Sequence, residues 1–217
     1  MKKQSPTGCT QEQDRGGREP VRRPSVRGQL FSIDAVCGRD LLPAAKRLFE
    51  VKQKGRGGWS TWDASSIFFE LNGLDLDDQP SARTLILLYA ADLRFRLRWQ
   101  ILPALEDGGT VVAAPYVETA IAFGLAFGLP LKWMTELFRF APRPTAAYWL
   151  NGHAPTADSP TAGFLEFCGN ILPKDFFEKF GEHFKKLQRQ GKCQSVGAAE
   201  KLGSDGDLCR PVSCRNS

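Results

Sequence analysis

Between residues 29 and 190, short strand-like runs alternate with helix-like segments, and that alternation constrains the fold more than any other feature. Residues 30–33 and 59–62, then Thr110–Ala114 and Ala146–Leu150, read as strands. At least one helix-like segment separates each from the next. Thr110–Ala114 carries no charge, as expected of a strand buried on both faces of a parallel sheet. Strands joined through helices pack as parallel neighbours. The expected fold class is therefore α/β, a three-layer sandwich around a mainly parallel sheet. Ligands of such folds bind beyond the carboxyl ends of the strands. That places the candidate site at residues 35–40, Asp63-Ala64, Pro115-Tyr116 and Asn151-Gly152.

The helices are legible by period. Residues 81–106 form the strongest, with Leu85, Tyr89, Leu93, Leu97, Ile101 and Leu105 recurring every four residues and Leu88 and Leu102 widening the stripe. Arg94 and Arg98 share another face, and Gly108-Gly109 ends the helix. Residues 41–51 read as a helix with Pro43 in its first turn, where proline is tolerated. Residues 65–71 open with serines suited to N-capping. Helices are also expected at 117–125, 131–140 and 173–190. The last places Phe177, Phe180, Phe184 and Leu187 on one face. His153 and His183 have no visible catalytic partner and are expected at the surface.

At 217 residues the chain can bury one sizeable core. Residues 1–28 hold seven Lys/Arg against three acids and no apolar period, which reads as a disordered basic arm. Residues 191–217 read as a second disordered tail, leaving one domain over 29–190. The most apolar stretch, 120–131, is about half the length a membrane span needs, so it is assigned to the core and no membrane partner is expected. No apolar run follows Met1-Lys-Lys, so a secretory leader is not expected. The six cysteines include no Cys-x-x-Cys pair, which points to reduced thiols, a cytoplasmic location and no zinc site. The net charge of +5 is mild and lies mostly in the ends, so a nucleic-acid partner is not expected either.

Residues 30–48 have the outline of a phosphate-binding loop without its chemistry. A short strand runs into a tight turn and then a helix, where Gly-x-x-x-x-Gly-Lys-Ser/Thr would stand in a P-loop protein. The two glycine positions are Ala35 and Asp40, the lysine position is Leu41 and the hydroxyl position is Leu42.

In order and spacing of segments, residues 29–190 resemble the thymidylate kinase family of P-loop nucleoside monophosphate kinases. The likeness is most specific where Ile-Leu-Leu-Tyr-Ala-Ala-Asp-Leu-Arg-Phe (86–95) and Ile-Leu-Pro-Ala-Leu (101–105) match that family's helix. The strand and turn Thr110-Val-Val-Ala-Ala-Pro-Tyr116 and the segment Arg143-Pro144-Thr145 also fall in place. The resemblance implies a P-loop NTPase-like sandwich, an ATP-dependent dTMP kinase activity and a homodimer.

Carried over residue by residue, most functional positions fail. Leucines at 41 and 42 offer neither charge nor lone pair to phosphate or Mg²⁺. The family's Asp-Arg before Tyr116 is Ala114-Pro115, and the arginine after Asp92 is Leu93. Arg94 follows, but one residue turns a helix by about 100°. Residues 151–170, where an arginine-rich lid would lie, contain no Lys or Arg. What remains is Gly38 and Arg39 as remnants of the nucleotide-binding loop, and Asp63, Tyr89, Arg94 and Tyr116 as remnants of the substrate pocket. Tyr89 reads first as a member of the core stripe, and Asp63 is equally suited to cap a helix. No catalytic residue and no metal ligand are assigned.

Three functions follow. The favoured one is a thymidylate-kinase-like domain without phosphoryl transfer, acting through nucleotide or protein binding. The second is an active nucleoside monophosphate kinase with displaced residues: Arg39 or Lys46 for phosphate, Asp63 for metal, Arg94 and Arg96 for the acceptor. ATP and Mg²⁺ enter only in that case. The third is a scaffold or oligomerisation module.

Overall fold

β1 (Gln29–Ala35) lies at the centre of a five-stranded sheet in which every paired neighbour is parallel. The computed structural model describes residues 28–36, 40–53, 55–71, 80–151 and 172–196. The chain runs from β1 through α1 (Leu41–Lys52) to β2 (Gly57–Thr61), α2 (Ile67–Leu71) and α3 (Ala82–Arg96). A π-turn (Leu97–Ile101) and α4 (Leu102–Glu106) lead into β3 (Thr110–Ala114). α5 (Val117–Ala126), α6 (Leu131–Leu137), β4 (Ala146–Leu150), α7 (Phe176–Arg189) and β5 (Gln194–Val196) complete it. The strand order is β2-β3-β1-β4-β5, so the chain steps to opposite sides of β1 and leaves a crevice at its carboxyl end.

Two apolar layers cover the sheet. On one face α1 buries Leu41, Ala44, Ala45 and Leu48, a single helical stripe, against Phe31, Ile33, Val112, Tyr148 and Leu150. On the other, α3, α5 and α7 enclose Leu30, Val111, Ala113 and Trp149. The three-layer α/β sandwich expected from the alternation is what forms. No helix among the described residues is long and apolar enough to cross a membrane.

The long helix read over 81–106 is continuous but not uniform. Ser81 caps it through the Thr84 N–H, at 3.2 Å. Its later part opens into a π-turn, where the Leu102 N–H reaches the Leu97 carbonyl. Pro103 follows immediately. It has no N–H to give the carbonyl four residues back, and its ring would crowd that carbonyl, so the wider turn accommodates it.

Four sequence expectations are corrected. β5 pairs with β4 from Gln194 to Val196, inside the segment read as a tail from residue 191. Its pairing is made by backbone, and three residues carry no period to read. In α7 the fully buried aromatics are Phe176, Phe180 and Phe184, whereas Phe177 is half-buried. α2 starts at Ile67 rather than 65, because Ser66 has φ 60° and cannot continue a helix backwards. His183 is not a surface residue: its side chain is 9% exposed and meets Glu118 on α5 at 2.7 Å. His153 lies outside the described residues.

Candidate functional site

Three side chains of α3, Tyr89, Asp92 and Arg96, sit at positions i, i+3 and i+7 and so share one face. All three are buried, and they meet the ends of β2 and β3 and the turns that follow them. Arg96 is the deepest, with no exposed surface. Its Nε donates to Ser60 Oγ at 3.0 Å. Its Nη2 donates to the Ser60 carbonyl at 2.8 Å and to the Pro115 carbonyl at 2.9 Å. Ser60 Oγ in turn donates to Gln100 Oε1, at 2.7 Å. Nη1 has no hydrogen-bond partner among the described residues. The guanidinium thus ties the ends of β2 and β3 together through neutral oxygens, and the two N–H groups of Nη1 are left over.

Asp92 holds the turn after β2. It accepts the Asp63 N–H at 3.1 Å, the Ser65 N–H at 2.9 Å and the Ser65 hydroxyl at 2.8 Å. That turn is strained, since Asp63 has φ 55° and Ser66 φ 60°. The Asp63 carboxylate faces α2, accepting the Phe68 N–H at 2.8 Å and the Phe69 N–H at 2.9 Å. Its geometry is that of a helix cap.

Asp34, at the end of β1, is buried under the first turn of α5. One oxygen accepts the Tyr116 N–H at 2.9 Å, the Thr119 N–H at 3.0 Å and the Thr119 hydroxyl at 2.8 Å. Burial raises its pKa to about 6, against the three donors that favour the carboxylate, and nearby Glu118 adds to the rise. The Tyr89 hydroxyl donates to the Tyr116 carbonyl at 2.7 Å, and the Tyr116 hydroxyl to the Pro142 carbonyl at 2.8 Å. Burial pushes both phenols above their ordinary range, with the Arg96 charge opposing. Asp34, Tyr116 and Tyr89 therefore form one hydrogen-bonded chain across the crevice.

No family profile matches this chain. It is 43% identical over 102 residues to a probable thymidylate kinase of Thermococcus gammatolerans, 47% of this chain and 46% of that protein. It is 42% identical over 65 residues to one from Pyrococcus abyssi, 30% of this chain and 32% of that one. In these stretches the chain spans a third to a half of its relatives' length. A thymidylate kinase of Xanthomonas oryzae pv. oryzae is 27% identical over 208 residues, 82% of this chain and 88% of the relative. The solved thymidylate kinase of Candida albicans shares the fold at TM-score 0.60 and 17% identity, over 82% of this chain and 88% of its own. The chain is similar to thymidylate kinases over most of its length. Its parallel sheet flanked by helices is the P-loop kinase fold.

In this chain the residues carried over from the resemblance separate. Tyr89 and Tyr116 meet in the buried network, and Asp63 joins it through its backbone N–H to Asp92. Tyr89 also packs edge-on against Phe138, with ring centroids 6.1 Å apart, as a core residue does. Arg94 stands apart, exposed, with its guanidinium 4.5 Å from the Phe140 ring centroid. Gly38 and Arg39 lie outside the described residues. Of the network, Asp34 was not read as a site residue and Arg96 only as a displaced acceptor ligand. The signal available for Arg96 was its spacing of seven from Tyr89 and four from Asp92.

Proposed function

We propose that this chain is a thymidylate-kinase-family domain that binds a nucleotide and does not transfer a phosphoryl group. The observation that carries the reading is the first turn of α1. There Leu41 is packed into the core at 5% exposure and Leu42 is 41% exposed. These are the positions at which a phosphate-binding helix presents a lysine and a metal-binding hydroxyl. Phosphoryl transfer rests almost wholly on positioned charge, and neither leucine supplies any. ATP·Mg²⁺ does not fit this donor set. The nearest α1 cation, Lys46, has its Nζ 5.5 Å from the Trp59 ring centroid on β2. The binding half of the reading rests on Arg96, whose buried Nη1 is a ready donor for an anion beside Tyr89 and Tyr116.

An active dTMP kinase is the second reading, favoured by the names of the relatives. It requires Lys46 to leave Trp59 and Asp63 to leave the α2 amides for metal. A homodimer is part of the proposal as well. Leu87 and Phe95 on α3 and Trp99 in the π-turn stand exposed, apolar surface of the kind that pairs with its own copy.

Thermal-shift titration with dTMP, dTTP and ATP·Mg²⁺, run beside a coupled ADP-release assay, tests these readings. Stabilisation by dTMP without ADP release is expected. ADP release above background sinks the non-catalytic reading. No shift with any nucleotide leaves the scaffold.

A further inference from the structure

On the α3 side of the sheet, opposite the Trp59 indole, an open groove of about 370 Å³ runs between β2 and the π-turn with α4. Its floor is a strand surface with no side chain at its centre. Gly58 pairs with Val111, which is 3% exposed, and alternation puts Gly58 on the same face as Ser60. A Cβ at Gly58 would meet nothing within 4 Å, and its φ is not positive, so neither crowding nor strain demands the glycine. The wall is one helical face. Gln100, Pro103, Ala104 and Asp107 stand at i, i+3, i+4 and i+7, about 10 Å from end to end. Its polar head is oriented from the core. Arg96 Nε donates to Ser60 Oγ at 3.0 Å, and Ser60 Oγ donates its own hydrogen to Gln100 Oε1 at 2.7 Å. The Gln100 oxygen therefore faces Ser60, and the Nε2 N–H pair is left over, with no partner among the described residues.

We infer that this groove is a binding site for an uncharged nucleoside. Gln100 offers a free amide donor beside an oxygen with a second lone pair, the pairing that reads a nucleobase edge carrying a donor next to an acceptor. Gly58, Val111 and Ala104 give a base its flat apolar surface. At the other end Asp107 can accept from sugar hydroxyls, as acidic residues do at ribose. The volume is in the range of small-ligand sites. Charge sets the class. Arg56 is the one cation and Asp107 the one acid among the residues lining the groove, which is therefore neutral as a whole. A nucleotide's phosphates would face a carboxylate with a single cation to offset it, whereas a nucleoside brings no charge. The groove reaches the amino ends of β2 and β3, where Gly57 pairs with Thr110, while the crevice lies at their carboxyl ends. The site is separate from the nucleotide reading above and does not rest on it.

The test is an NMR titration of the ¹⁵N-labelled full chain with adenosine and uridine and with their 5′-monophosphates, read at the Gly58 amide and the Gln100 side-chain amide. Saturable shifts at both are expected with a nucleoside, with a Kd of about 0.1 mM for a ligand of this size. The monophosphate should bind there about tenfold more weakly. Gly58→Val fills the floor with a residue that suits a strand and should remove the shift at Gln100. Gln100→Leu should weaken nucleoside binding, read at Gly58, by about three- to tenfold. Asp107→Asn should close most of the gap between nucleoside and monophosphate. Circular dichroism of each variant confirms folding. Shifts confined to Tyr116 and Thr119 place the ligand in the crevice and overturn the inference. Unchanged affinity in Gly58→Val, a monophosphate that binds the groove as tightly as its nucleoside, or no shift at Gly58 and Gln100 with either nucleoside also overturns it. The dTMP thermal shift is a separate readout, and its loss leaves these outcomes as they stand.

Discussion

Arg96 on α3 donates to the carbonyl of Pro115 beyond β3, at 2.9 Å, while the same nitrogen holds the carbonyl of Ser60 on β2. One buried cation therefore fixes the spacing of two strand ends with no carboxylate against it among the described residues. Arg96→Ala removes three donors from buried oxygens and leaves a cavity. A loss of about 3 kcal/mol or more is expected, read by urea denaturation with unchanged slope. A loss within about 0.5 kcal/mol, the range of an ordinary surface change, sinks the latch.

Asp92→Ala frees the strained turn after β2. Three hydrogen bonds from Asp63 and Ser65 vanish, and the backbone at Asp63 and Ser66 can leave its positive φ. We expect a loss of about 2 kcal/mol and amide exchange at residues 63 and 65 that accelerates well beyond that of β1 and β3. Asp92→Asn should fall between, since one oxygen still accepts from Ser65 while the amide opposes the Asp63 N–H. Uniform acceleration across the whole sheet argues against a local tie.

The layers of this fold were legible because burial on both faces of a parallel sheet leaves a mark that needs no partner to be read. Thr110–Ala114 and Ala146–Leu150 are charge-free runs bounded by turns, and they are the strands. The four-residue recurrence from Leu85 to Leu105 is the buried side of the long helix. The network at the strand ends was less legible. Asp34 accepts from residues 82 and 85 positions away, and nothing near it in sequence announces those donors. Arg96 and Asp92 look like ordinary helix charges until the turns from β2 and β3 close over them. Asp63 showed the opposite case: a capping acid at a strand-to-helix turn is a local device, and local devices can be read.

Asp34 makes stability depend on pH in a definite direction. Its pKa rises from 3.8 to about 6 on folding, so the folded chain holds a proton that the unfolded chain has released. The stabilising contribution of the protonated acid is complete below about pH 4 and is lost as pH climbs through 6, a change of about 3 kcal/mol. Asp34→Asn cannot titrate and keeps an oxygen for the three donors. Its stability relative to the parent should therefore improve by about that amount between pH 4 and 7 in urea titrations. A constant difference across that range removes the buried-acid assignment.

The exposed apolar side chains of α3 and the π-turn after it predict association. Trp99 is 63% exposed, Leu87 47% and Phe95 40%, all on the side of the helix away from the sheet. Trp99→Glu places a charge where a second copy would bury apolar surface. Size-exclusion chromatography with light scattering should show a dimer for the parent and a monomer for the variant. A parent that runs as a monomer at about 0.1 mM, far above the Kd of a stable homodimer, leaves this surface without that role.

The first turn of α1 separates a lost phosphate site from a hidden one. Leu41 packs against Ala44, Ala45 and Leu48 beneath the sheet, so Leu41→Lys forces an ammonium into an apolar layer. Several kcal/mol of destabilisation are expected. Leu42 is exposed, and Leu42→Thr should change stability by less than about 0.5 kcal/mol. Neither variant, nor the two together, should release ADP from ATP·Mg²⁺ in the presence of dTMP. The reason is geometric: a lysine that serves phosphate must project from the loop, and here that position faces the core. If Leu41→Lys folds as stably as the parent and turns over ATP, the position projects toward phosphate after all, and the non-catalytic reading fails with it.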